Sequence, residues 1–265
     1  MKLFLISLGT LVIAFLIGLV IRMWGLSLPY KQFEHPFLTS AMSASHPVSI
    51  GIFSKEHLRP DSKSTLTWVN VYMTLDRILI SDYNFNVDAF LTWARDKKKF
   101  KGKFVHGYTL SELNEFYESV MPLEKAIQTI KTDHYIFNIL TNDIDVHKDV
   151  ISFIEKNKLE DRVLINSPID IVIKAIKEQK PMWVYGTSIP EVSRLKSFST
   201  LGLEAAISIR GDVFIAPISY LNRPLVDQSM VTEIRRRKKL VFLGPIQSET
   251  DLKLAEELKP DGIIF

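Results

Sequence analysis

The chain has 265 residues, no cysteine and a formal net charge of +3. The missing cysteines exclude disulfides, thiolate metal sites and cysteine nucleophiles, and the small charge gives no support to a nucleic-acid partner. The length accommodates one large domain or two small ones, and a hydrophobic fraction of 46% is sufficient for a sizeable core.

The chain begins with an apolar run without charge, from Leu3 to Ile21. At about 1.5 Å per helical residue, this run nearly crosses a hydrocarbon core of about 30 Å. A cleaved signal peptide is the alternative, but its apolar run would be shorter and would end in small residues. Here the run ends in Arg22, Met23 and Trp24, which is typical of an interfacial anchor.

The sequence therefore predicts three regions: an N-terminal transmembrane anchor over residues 1–24, a juxtamembrane segment over 25–33 and one barrel domain over 34–265. The protein is expected to be a single-pass membrane protein that contacts lipid through this helix. The flanking charges do not settle its orientation.

The next signal is the segment from Trp68 to Tyr83, which predicts two strands. Val69, Val71 and Met73 alternate with Trp68, Asn70 and Tyr72, and a period of two indicates a strand. A turn then leads into a second short apolar run, Ile78–Ile80. The face that carries an indole, an amide and a phenol is unusual, because it resembles neither a core face nor a solvated one.

From residue 109 onward, helical patterns alternate with short apolar runs. Helices are predicted at 109–120, 122–132, 145–161, 168–180, 188–203, 230–239 and 248–258. Strands are predicted at 135–140, 162–167, 182–186, 205–209, 212–218, 240–246 and 261–265. Seven or eight strand–helix units in about 235 residues predict an α/β fold, a (β/α)8 TIM-type barrel. A doubly wound open sheet is the alternative, but the glycine-rich nucleotide motifs that would favour it are absent.

In such a barrel, the C-terminal strand ends line the mouth. Alternation predicts that Asn70 and Asn138 both face this mouth, and Asp82 and Ser167 are further mouth candidates. Weaker strand-end candidates are Tyr185, Thr187 and Gln247. The simpler interpretation is that these polar groups satisfy one another.

Two basic runs, Arg95–Lys103 and Arg235–Lys239, stand out against the small net charge. Runs of this kind are typical of solvated faces or loops. The alternative is a role at lipid headgroups, since each Lys or Arg near an anionic membrane gains about 1 kcal/mol.

The order of the elements resembles the glycerophosphodiester phosphodiesterase family. WVNVYMTLDR stands where the metal-binding strand Glu-Leu-Asp-Val-x-Leu-Thr-x-Asp-Gly would be, with Thr74 and Asp76 matching its tail, and ILISDY stands at the His-Asp strand. HGYTLSELNEF, MPLEKAI, LINSPIDIVIKAIKEQKP and KPDGIIF are similar to later parts of the pattern. The resemblance covers residues 34–265 and favours an extracytoplasmic location.

The resemblance implies a divalent cation, such as Ca²⁺ or Mg²⁺, that carboxylates hold against the phosphodiester. In this sequence Trp68 and Asn70 stand at the Glu-x-Asp pair, and Asn138 stands at the third metal glutamate. Leu140 replaces the lysine two residues later. One indole and two amides thus replace three carboxylates, and no cofactor is expected unless the protein is an active hydrolase.

The resemblance also implies two catalytic histidines. His35 matches the first, although Pro36 and Phe37 replace its Arg-Gly, and His46 is an alternative match. The second would fall near Ser81 and Asp82, where no histidine exists. Either histidine can equally be a surface loop residue.

These departures predict a membrane-anchored, phosphodiesterase-like barrel that is catalytically impaired and binds a lipid headgroup or a protein partner. The alternative is an active but divergent phosphoric diester hydrolase in glycerophospholipid metabolism, which would use Asp82 and His35.

Overall fold

The computed structural model describes residues 2–41, 47–54, 64–82, 105–115, 119–141, 143, 145–220 and 223–265. The strands are β1 Val48–Ile52, β2 Ser64–Met73, β3 Leu79–Asp82, β4 Val120–Pro122, β5 Thr132–Ile139, β6 Val163–Asn166, β7 Val184–Tyr185, β8 Val213–Ala216, β9 Ser219–Tyr220, β10 Arg223–Pro224, β11 Leu240–Leu243 and β12 Gly262–Ile264. The helices are α1 Lys2–Ser27, α2 Pro36–Ala41, α3 Leu110–Asn114, α4 Leu123–Thr129, α5 Val146–Lys156, α6 Asp170–Gln179, α7 Ile189–Thr200, α8 Gln228–Arg236 and α9 Glu249–Leu258.

Eight strands form one parallel sheet in the order β7-β6-β5-β2-β1-β12-β11-β8. The two edges of this sheet meet at a bridge between Gly186 and Val213, so the sheet curls into a barrel. The predicted TIM-type barrel is confirmed, and the open-sheet alternative is wrong. Two antiparallel additions lie outside the ring: β3 and β4 extend from β2, and β9 pairs with β10.

Strand alternation divides the apolar residues into two sets. Leu66, Trp68 and Ile136 pack inside the barrel with the inward residues of the other strands. Val69 and Val71 point the other way and pack under α4, α5 and α6. Each strand thus separates an inner core from an outer one, as strand periodicity requires.

The fold departs from the predicted elements in several places. The helix predicted over 109–120 ends at Asn114, and strand β4 at Val120–Pro122 was not predicted. The apolar run at 205–209 was predicted to be a strand, and this is wrong. It begins in a 3₁₀ turn, Glu204–Ala206, whose Glu204 and Ala205 carbonyls accept from the Arg237 guanidinium instead of entering a ladder. Strand β1 was not predicted, and it fills the ring position between β2 and β12.

The N-terminal end of the barrel is covered by the chain that precedes β1. Phe37 is fully buried against the inner core, and its ring meets the His134 ring edge-on at 5.4 Å between centroids. Helix α1 is 26 residues long and packs against the Glu204–Ala206 turn. Within the part of the chain that the structure describes, no helix is long and apolar enough to cross a membrane, and the predicted anchor stays a prediction.

Candidate functional site at the barrel mouth

Three neighbouring strands carry an asparagine at the same level of the barrel. The parallel register pairs Asn70 with Asn138 and Asn138 with Asn166. One layer below, the same register aligns the apolar side chains of Trp68, Ile136 and Leu164. Asn70 and Asn138 thus meet at the C-terminal strand ends, as strand alternation predicts, and their role as a binding site stays a prediction.

The three amides form one hydrogen-bonded chain, which we call the amide chain. The Asn138 Nδ2 donates to Asn70 Oδ1 at 2.9 Å, and the Asn166 Nδ2 donates to Asn138 Oδ1 at 2.9 Å. The Trp68 Nε1 donates to Asn70 Oδ1 at 3.0 Å. Because an indole N–H can only donate, this bond fixes which atom of each amide faces its neighbour.

The far end of the amide chain is closed by a glycine. Asn166 Oδ1 is buried and has no hydrogen-bond partner among the described residues. A Cβ at Gly186, the next position around the ring, would collide with this oxygen. Glycine at this position leaves room for the asparagine side chain.

Asn166 was not singled out from the sequence, although a signal for it exists. VNV, FNI and INS each place an asparagine at the same inward position of successive strands. An amide repeated in this way on adjacent parallel strands predicts a hydrogen-bonded ladder.

Tyr72 and Asp82 lie beside the near end of the amide chain. Strand β3 pairs Val71 with Ser81, and extending this antiparallel register by one residue sets Asp82 opposite Asn70. Burial and the neighbouring Asp82 charge raise the pKa of Tyr72 to about 12. The phenol therefore keeps its proton at neutral pH and can donate a hydrogen bond.

The other strand-end candidates have structural partners. Ser167 Oγ donates to the Ile139 carbonyl at 2.7 Å, and Thr187 Oγ1 donates to the Ile215 carbonyl at 2.8 Å. The Tyr185 hydroxyl donates to the Lys180 carbonyl at 2.6 Å, and the Gln247 N–H donates to Asp251 Oδ2 at 3.3 Å. Ser167 and Thr187 thus belong to the framework at the strand ends. Tyr185 does not face the mouth, because its side chain packs in the outer core and its hydroxyl bonds the segment before β7.

His35 lies at the opposite end of the barrel from the amide chain. Its Nδ1 accepts from the Phe37 N–H at 3.1 Å, and its Nε2 is 4.0 Å from Asp161, which precedes β6. Phe37 packs on His134, four residues before Asn138 on β5, which corresponds to about 13 Å along a strand. The structure does not bring His35 to the mouth, and His46 is outside the described residues.

The residues at the mouth do not fit a divalent cation. Calcium and magnesium prefer oxygen ligands with several carboxylates among them, whereas Asn70 Oδ1 and Asn138 Oδ1 already accept hydrogen bonds. Asp82 supplies one carboxylate near them. Among the described residues, no group of three or more histidines, aspartates and glutamates could hold a metal ion.

No known protein-family profile matches the sequence, and no curated protein sequence does. Solved structures do match. A Silicibacter pomeroyi protein assigned as a glycerophosphoryl diester phosphodiesterase matches with a TM-score of 0.60 and 13% identity, over 87% of this chain and 94% of that one.

Two further structures are similar. The glycerophosphoryl diester phosphodiesterase domain of a Mycobacterium tuberculosis protein matches with a TM-score of 0.59 and 12% identity, over 83% and 96% of the two chains. An Oleispira antarctica phosphodiesterase in complex with sn-glycerol-3-phosphate matches with a TM-score of 0.55 and 13% identity, over 83% and 92%. The protein therefore has the fold of the glycerophosphodiester phosphodiesterases.

Proposed function

We propose that this protein is a membrane-attached barrel of the glycerophosphodiester phosphodiesterase type that binds a partner at its mouth without hydrolysing phosphodiesters. The amide chain carries the proposal. Asn70 and Asn138 stand at strand positions where the sequence resemblance places metal carboxylates, and they are hydrogen-bonded to each other instead. Trp68, at the third such position, donates to the same amide oxygen.

Loss of charge is the physical reason to expect no hydrolysis. A cation that acts on a phosphodiester neutralises it and activates the attacking group, and each role contributes several kcal/mol of barrier lowering. Neutral amides supply no charge, and Asn70 Oδ1 already accepts two hydrogen bonds. His35, the residue proposed from the resemblance as a catalytic histidine, lies at the other end of the barrel.

The mouth keeps groups that suit binding of a polar partner. Asn70 is half-buried, and its Nδ2 has no acceptor among the described residues. Tyr72 keeps its hydroxyl proton at neutral pH, and Asp82 adds a carboxylate beside it. The Asn70 Nδ2 donor suits a hydrogen-bond acceptor on a lipid headgroup or on a protein.

Membrane attachment through α1 is the second part of the proposal. Away from the face that packs on the barrel, this helix exposes many apolar side chains: Val12, Ile13, Phe15, Leu16, Ile17, Leu19, Val20 and Ile21. A helix that is apolar all round has no face for water and is typical of a membrane span. The sequence supports the proposal, because the uncharged apolar run from Leu3 to Ile21 nearly crosses a hydrocarbon core.

The absence of metal binding and of hydrolysis is tested by adding metal ions to the full-length chain. We expect no release of sn-glycerol 3-phosphate from a glycerophosphodiester with Mg²⁺, Ca²⁺ or Mn²⁺, and no rise in melting temperature. The triple variant Trp68→Glu, Asn70→Asp, Asn138→Glu restores three carboxylates. It should gain a rise on the order of 5 °C at saturating metal, because a ligand that binds only the folded state stabilises it.

The control variant Trp68→Gln, Asn138→Gln makes similar changes of shape without charge, and should show no metal-dependent rise. Metal-dependent turnover by the unchanged protein would overturn the binding role in favour of an active hydrolase. Membrane attachment has a separate test, mass spectrometry of the N-terminus of protein extracted from membranes. A mature chain that starts between Gly25 and Gln32 would overturn the attachment.

A further inference from the structure

The C-terminal end of helix α1 packs against the N-terminal end of the barrel. Gly25 packs so closely on Ala205 that a Cβ at this position would collide with the Ala205 carbonyl, and Gly18 faces Leu203. The Arg236 guanidinium donates to the carbonyls of Gly25 at 3.2 Å and Leu26 at 3.3 Å. These carbonyls belong to the last turn of α1, where backbone acceptors lack helical partners and a cation is favourable.

A buried ionic cluster of Glu233, Arg236 and Arg237 holds the C-terminal end of α1 against the barrel. Glu233 accepts from Arg236 Nη2 at 2.7 Å and from Arg237 Nε at 2.6 Å. The Arg237 Nη1 also donates to the Ile207 carbonyl at 2.6 Å, next to the segment on which α1 packs. The Tyr30 ring covers both guanidinium groups at 5.0 and 5.4 Å. The end of α1 is thus tied to the barrel through several independent contacts.

Exposed apolar side chains lie beside this contact between α1 and the barrel. Leu201 is 71% exposed in the turn that follows α7, and the next residue, Gly202, lies against the Arg22 guanidinium. Leu203 in the same turn faces Gly18. This turn therefore lies level with the part of α1 where the apolar run ends. Trp24, 67% exposed, is at the same level.

Positive charge surrounds a cavity of about 140 Å³ at the same end of the barrel, and its lining includes Lys31, Lys238 and Lys239. None of these lysines has a carboxylate within 4.0 Å among the described residues. The acidic neighbours Glu233 and Asp212 are already paired, with two arginines and with Lys177. Lys239 Nζ donates to the Gly211 carbonyl at 2.6 Å, and burial lowers the pKa of this lysine. The charges of the exposed Lys31 and Lys238 are left for an external anion.

We propose that the N-terminal end of the barrel lies flat on an anionic membrane surface, with Leu201 at the lipid interface and with Lys31 and Lys238 near lipid phosphates. This inference rests on the proposed membrane attachment, and it adds the orientation. Its consequence is that the mouth, with the amide chain, points away from the bilayer. The mouth then meets partners in the aqueous compartment and not the headgroups of its own membrane.

Because the chain has no cysteine, single cysteines can be labelled cleanly. The full-length variants Leu201→Cys and Leu75→Cys, both at exposed leucines, place a fluorophore at opposite ends of the barrel. The proteins are reconstituted in phosphatidylcholine vesicles, with or without phosphatidylserine, that carry a nitroxide quencher on the lipid headgroup. We expect the label at 201 to lose most of its fluorescence and the label at 75 to lose little.

Phosphatidylserine should deepen the quenching at 201, and Lys31→Glu with Lys238→Glu should abolish that increment. The control pair Lys125→Glu with Lys253→Glu makes the same change of net charge on the barrel wall and should keep the increment. Equal quenching at 201 and 75, in protein that stays with the vesicles, would overturn the orientation and leave the attachment standing. Protein that fails to float with the vesicles would overturn the attachment itself.

Discussion

Each end of the barrel has a cluster of buried polar side chains, but one cluster is neutral and the other is charged. At the mouth, the amide chain links Asn70, Asn138 and Asn166 through neutral hydrogen bonds. At the N-terminal end, Glu233 and Arg237 are almost fully buried and carry full charges. Buried ion pairs are thus concentrated where the barrel contacts α1, whereas the amide chain at the mouth carries no charge.

The two clusters should also differ in how much stability is lost when one partner is removed. A buried ion pair resists the loss of either partner, because the remaining charge cannot be solvated. A chain of neutral amides is less costly to alter, since each hydrogen bond contributes about 1 kcal/mol net and an orphaned group costs about 1–3 kcal/mol. The N-terminal end should therefore be the more sensitive end, although the mouth has the position of a catalytic site.

The largest effect is expected for Arg237→Met. The change leaves Glu233 with one guanidinium partner and removes the donor to three backbone carbonyls, so we expect a loss of about 3 kcal/mol in the free energy of unfolding. Burial disfavours the Glu233 anion, but hydrogen bonds from Arg236 and Arg237 outweigh it and lower its pKa. Urea unfolding measures the loss. The same change at exposed Arg194 is the control, and equal losses at both positions would show that the cluster is dispensable.

The next effect concerns the mouth. Asn138→Leu removes the middle residue of the amide chain. The buried Asn166 Nδ2 then loses its acceptor, and Asn70 Oδ1 loses one of its two donors. We expect a loss of about 1–3 kcal/mol in the same unfolding measurement.

A double variant sharpens this prediction. Asn138→Leu with Asn166→Leu removes both partners of the inner hydrogen bond, and replacing both partners by apolar groups is nearly neutral. We expect the double variant to be more stable than Asn138→Leu alone. A double variant whose loss equals the sum of the two single losses would mean that the amides contribute independently and do not form a chain.

The same comparison shows what the sequence could predict. The barrel and the meeting of Asn70 with Asn138 follow from strand alternation, because parallel strands in register bring equivalent positions together. The simpler interpretation, that the mouth residues satisfy one another, is confirmed for Asn70 and Asn138. These predictions needed only local patterns and one rule of barrel geometry.

The N-terminal end could not be predicted in this way. His35 was assigned to a catalytic role by resemblance, but its position depends on Phe37 packing on His134 across nearly one hundred residues. The run Arg235–Lys239 was expected to be a solvated face or loop, yet Arg237 is buried and donates to the carbonyls of Glu204 and Ile207, about thirty residues away. Such contacts join distant segments and leave no periodic signal. The other basic run, Arg95–Lys103, is outside the described residues.

The smallest expected effect is a pH dependence at His35. Burial lowers the pKa of this imidazole, and the attraction of Asp161 and Asp212 offsets only part of the effect. Its Nδ1 accepts from the Phe37 N–H, which requires the neutral form. Since the pKa is lower in the folded state, the unfolded chain binds more protons below about pH 6.5, and stability falls as the pH drops from there towards the folded pKa. One proton limits the slope to about 1.4 kcal/mol per pH unit.

The variant His35→Gln keeps an acceptor for the Phe37 N–H and removes the titration. We expect its free energy of unfolding to fall less between pH 7 and pH 5 than that of the unchanged protein. Part of the dependence should remain, because burial also lowers the pKa of His134. The control His147→Gln, in the first turn of α5, should keep the full dependence. An unchanged pH profile in His35→Gln would show that the N-terminal end tolerates a charged imidazole, and that its sensitivity belongs to the Glu233 cluster alone.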